Sequence, residues 1–116
     1  MQERSREGHR LRVMAEYGSS GIWIVQNNGM FRHSMVEHSA LNMPPKLSKK
    51  ISHWIEGYEQ KLLLDFAFDT DGFNAEGRQI ARELFDFMNG KSEVEFVPED
   101  ASGGLGMPEL VLSERP

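Results

Sequence analysis

Apolar and polar side chains alternate at two different periods along this chain, and the periods mark out its elements. Leu11, Val13, Ala15 and Tyr17 alternate with Arg12, Met14 and Glu16, the period-two pattern of a strand with one buried face. Gly18-Ser19-Ser20-Gly21 interrupts it. The β-branched and aromatic run Ile22-Trp23-Ile24-Val25 predicts a second strand, closed by the turn signal Gln26-Asn27-Asn28-Gly29. The stretch 30–43 has no clear period and reads as loop, with a short strand at Met30-Phe31 at most. After Pro44-Pro45, the residues Leu47, Ile51, Trp54, Ile55, Tyr58 and Leu62 recur at spacings of three and four, one face of a helix. A second helix follows the turn Asp69-Thr70-Asp71-Gly72, with Asn74 as its expected N-cap. Its inner stripe is Ile80, Ala81, Leu84 and Met88, with Phe85 or Phe87 at the margin and Asn89-Gly90 as its stop. Val94 and Phe96 then alternate with Glu93 and Glu95 as a third strand, and Leu110-Val111-Leu112 offers a short edge strand.

Two apolar helix stripes need a common surface to bury them, and the strands supply one. The expectation is an α+β fold, a small three- to four-stranded sheet with both amphipathic helices packed on one face. A right-handed crossover would set the third strand parallel to the first. Residues 1–100 are expected to form a single domain, with 1–9 a frayed N-terminal arm and 101–116 a flexible Gly/Pro-rich tail. A chain of 116 residues can build one core without covalent staples. With no cysteine there is no disulfide, thiolate metal site or cysteine nucleophile. No apolar run approaches the length of a membrane span or a signal-peptide core, so the expected location is the cytoplasm, with no membrane partner.

Charge changes this picture. Residues 1–53 hold eight Lys/Arg against four acids, and residues 54–116 hold five against fourteen, so the halves carry +4 and −9 of the net −5. So acidic a second half repels nucleic acid and steers cationic partners towards it. Arg4, Arg6, Arg10 and Arg12 are interrupted by Glu3 and Glu7 and read as a solvated arm, free to fold back on the acidic half.

Motifs of catalysis are weak. Asp65, Asp69, Asp71 and Gly72 resemble a calcium loop, but placing Gly72 sixth puts Ala67 first and Arg78 twelfth, where acidic ligands belong. His33 and His38 with Glu37 are one residue too far apart for a zinc motif and read as ordinary loop histidines. Gly18-Ser19-Ser20-Gly21 matches neither a P-loop nor a nucleophile elbow; it reads as a flexible connection, with a contact surface beside Trp23 as the functional alternative. His53 is expected to be exposed. No cofactor or metal is expected. The acids Asp86, Glu93, Glu95, Glu99 and Asp100 fall within fifteen residues and can share one face, with Glu93 and Glu95 turned away from the Val94 and Phe96 side. On an edge strand the same charges would also discourage self-pairing.

Ala15-Glu16-Tyr17-Gly18-Ser19-Ser20-Gly21-Ile22-Trp23, the helix over 47–58, and Phe73-Asn74-Ala75-Glu76-Gly77-Arg78 through Phe96 resemble small stand-alone bacterial proteins without an established activity, over about residues 10–97. In size and acidity the chain is similar to immunity proteins that neutralise toxins passed between neighbouring bacteria. That resemblance implies a non-enzymatic inhibitor of a basic toxin, a nuclease by preference, and names no site residue. The residues expected to meet the partner are Asp86, Glu93, Glu95, Glu99 and Asp100, with Trp23 or Tyr17 as aromatic anchor. Two other classes stay open: a small metal-dependent enzyme using Asp69, Asp71 and His53, and a homo-oligomeric accessory protein, for instance a homodimer joined through its last strand or tail.

Overall fold

The computed structural model describes residues 10–25, 33–61, 68–100 and 104–112. The N-terminal arm, the expected turn at 26–29, the short strand at Met30-Phe31, Leu62, Asp65 and residues 101–103 and 113–116 of the tail lie outside them. The strands are β1 (Arg10–Val13), β2 (Ile22–Val25), β3 (His33–Met35), β4 (Glu93–Phe96) and β5 (Glu109–Leu110), and the helices α1 (Pro45–Glu59) and α2 (Thr70–Met88). A 3-10 turn at His38–Leu41 leads into α1. The fold is α+β, as expected.

The sheet has five strands in the order β3-β2-β1-β4-β5, against an expectation of three or four. One extra strand, β3, lies in the stretch read as loop: three residues cannot show a period, and Ser34 and Met35 gain their strand geometry from pairing with Ile24 and Trp23. The other, β5, realises the edge strand offered by Leu110. β1 and β2 are antiparallel, while β1 and β4 are parallel, with Leu11 opposite Val94 and Val13 opposite Phe96. The expected parallel crossover is therefore present. β4, however, is an interior strand between β1 and β5, so its acids do not guard a sheet edge.

Register places Leu11, Val13, Ile22, Val94 and Phe96 on one face, where they form a single buried cluster with Leu47, Ile51, Trp54 and Ile55 of α1 and Phe73, Ile80, Ala81 and Leu84 of α2. Trp54 stacks on Phe73 at a ring separation of 4.7 Å and donates its Nε1 hydrogen to the Phe73 carbonyl, satisfying the indole inside the core. Gly77 permits this close approach: a Cβ there would collide with the Phe96 ring and lie 2.7 Å from Trp54 Cζ2.

Helix ends follow their residues. Pro45 starts α1 at a position with no backbone donor to lose. The expected cap of α2 is corrected: Asp69, not Asn74, caps it, its Oδ1 accepting the Gly72 backbone N–H at 3.0 Å. The segment read as a turn before the helix is the helix's own first turn. Asn74 is buried one turn inside, where its amide donates to the Glu99 carbonyl and its oxygen accepts the Glu99 N–H, both at 2.9 Å. Asn89 ends the helix in the left-handed region at φ 51°, followed by Gly90 at φ 85°, as the Asn-Gly pair predicts.

Candidate partner-binding surface

The sheet face turned away from the helices carries the charged residues of β1 and β4. Arg10 donates to Glu93 Oε1 from Nε at 3.0 Å and from Nη2 at 2.9 Å, and to Glu95 Oε1 at 3.1 Å. Arg12 Nε reaches Glu95 Oε2 at 2.6 Å. The bonds to Glu93, then to Glu95, hold the Arg10 guanidinium above its ordinary pKa. Glu93 and Glu95 do turn away from the Val94 side, but their environments differ: Glu93 is exposed, whereas the Glu95 side chain is 3% exposed beneath the two arginines. Trp23, opposite Arg12 in β2, is half-buried and donates its Nε1 hydrogen to the Met14 carbonyl at 3.0 Å.

The remaining acids do not gather on one open face. Glu99 is buried and ion-paired to Lys61, while Asp86, on α2, and Asp100 are exposed. Glu109 makes a two-pronged bond to Arg78, with contacts of 2.8 and 2.9 Å. That bond holds its carboxyl below the usual range.

At one end of the molecule, the connection from β1 to β2 is held by its own short polar residues. Ser19 Oγ donates to the Glu16 carbonyl and accepts from the Gly21 N–H, and Ser20 Oγ donates to the Val36 carbonyl at 2.6 Å. The Gly18 N–H donates to Glu59 Oε2 at 2.7 Å, tying the turn to the end of α1. The turn read as flexible is thus bonded at both ends. It holds Tyr17 51% exposed, with its ring 5.0 Å from that of Tyr58. Burial, then the nearby negative charge of Glu99, pushes the Tyr58 hydroxyl up to about 12. Beside the turn lies an open cleft of about 340 Å³, lined by Gly18, Ser19, Ser20, Glu37, Ser39 and Ser52 among others.

His38 explains itself as a structural residue. Its Nε2 lies 2.8 Å from the Ser20 carbonyl, which can only accept, so that nitrogen carries the proton; Nδ1 faces the Ser48 hydroxyl at 2.6 Å. No group of three or more His, Cys, Asp or Glu able to hold a metal occurs among the described residues. His53 and Asp69 line one shallow cleft, but the Asp69 carboxylate caps α2 and His53 is exposed beside Glu56. No helix among the described residues is long and apolar enough to cross a membrane.

A family model described as Serratia CdiI immunity protein-like matches residues 9–99. No curated protein and no solved structure gives a significant match.

Proposed function

Because the chain belongs to the Serratia CdiI immunity protein-like family, we propose that it is a non-enzymatic immunity protein, which binds a basic toxin domain in the cytoplasm and blocks it. The family match, which spans every element but β5, carries this reading. The net charge of −5 supports a cationic partner, and a nuclease is the toxin class it fits, since a cleft that binds phosphate presents the opposite charge. Glu93, exposed on the outer face of the sheet, is the acid proposed to meet the partner, with Trp23 next to the β1 arginines as an aromatic contact, while the exposed Asp86 and Asp100 steer a cationic partner at longer range. Glu95 supports that surface from below through Arg10 and Arg12.

The test is a tagged pull-down from the native host, followed by co-expression with the basic toxin domain that it recovers. The full chain is expected to restore growth and to co-purify with the toxin, with association that slows as salt rises. Continued killing despite a folded, abundant chain would refute the reading.

Self-association through β5 is a second reading, favoured by one observation: β5 is a sheet edge, and Leu110 and Leu112 beside it are exposed. Light scattering at the monomer mass across micromolar concentrations would remove it.

A further inference from the structure

We propose that the β1–β2 turn and the cleft beside it form the docking site for a cationic side chain of the partner, with Tyr17 as the aromatic anchor next to it. This inference rests on the immunity reading and adds a contact region to it.

Three observations converge there. Tyr17 is among the few large apolar side chains left exposed among the described residues, and it is held in place by the bonded turn and the Tyr58 ring, so ordering it on binding costs little. Tyrosines of this kind are favoured at the centres of interfaces. The adjoining cleft offers acceptors without a cation: among the described residues Glu37 has no ion pair, the Ser39 and Ser52 hydroxyls have no protein partner, and no lysine or arginine lines the cleft. Finally, carboxylates lie at this end. Glu59 is the last residue of α1, where the helix dipole is itself negative, and no basic residue occupies that last turn. Glu16 is exposed on the same turn as Tyr17. The next cation along the chain, Lys61, is ion-paired to Glu99. An arginine or lysine from a basic partner supplies the missing charge, while Tyr17, next in the chain to Gly18 of the cleft, gives the partner an aromatic surface beside it.

The experiment uses the full chain and the toxin domain recovered with it, with binding followed by interferometry at two salt concentrations. Tyr17→Ala is expected to weaken binding by about tenfold or more. Glu37→Lys is expected to slow association and flatten its salt dependence, and because this carboxylate is exposed and has no ion pair among the described residues, its thermal melt should match wild type. Wild-type affinity and rates in both variants would overturn this surface while leaving the immunity reading intact. Failure of the folded wild type to bind would overturn both.

Discussion

Glu93 and Glu95 are two residues apart on one strand, point to the same side and share Arg10, yet they are not equivalent. Glu93 is exposed, so its ion pair is screened by water and contributes less than about 1 kcal/mol. Glu95 lies under Arg10 and Arg12, and its removal would leave a largely buried guanidinium without its counter-charge. Glu95→Gln is expected to lower stability by about 3–5 kcal/mol. Urea denaturation of the two Gln variants checks the contrast; equal midpoints would show that Arg12 finds another partner.

At the scale of elements, β5 is held to the body by a few bonds. The Val111 N–H donates to the Val94 carbonyl at 2.8 Å, Arg78 grips Glu109, and Arg82 donates to the Leu112 carbonyl at 2.7 Å. The Glu109 carboxyl titrates below its usual value, so its contribution is present above the ordinary carboxylate pKa and is lost as pH falls through the lowered one. The protection of the Val111 amide against hydrogen exchange is therefore expected to fall in acid, and Glu109→Gln should show the reduced protection already at neutral pH. β1, β4 and both helices, which have a period of their own, and β2, a β-branched and aromatic run, were legible from the sequence, although β1 ends at Val13 and the alternation that runs on to Tyr17 leaves that ring exposed. β3 was not, because its geometry comes from a neighbour. The cap of α2 was misplaced because an Asp that accepts from the residue three ahead looks the same in a turn and in a first helical turn. The acidic face was misjudged for a different reason: alternation tells which way Glu95 points, but not that Arg12, distant in sequence, covers it.

Across the whole molecule, the division of charge is largely a division of partners. Arg10, Arg12 and Lys50 come from the basic half and pair with Glu93, Glu95 and Glu83 from the acidic one. Both helices depend on a sheet whose centre is β1 against β4. A fragment ending at Gly90 keeps β1, β2 and both helices but lacks Val94 and Phe96. It is expected to show no cooperative thermal transition by circular dichroism, and a sharp transition would mean that the helices and the first hairpin suffice. The parallel pairing of β1 with β4 also sets a timetable. Arg10 faces Glu93, 83 residues further on, and both helices lie between them. A ribosome must add all of that chain before β1 can meet its partner, and contacts so distant in sequence form slowly. The sheet therefore closes only once translation has passed both helices and β4, and no shorter nascent chain carries the folded surface.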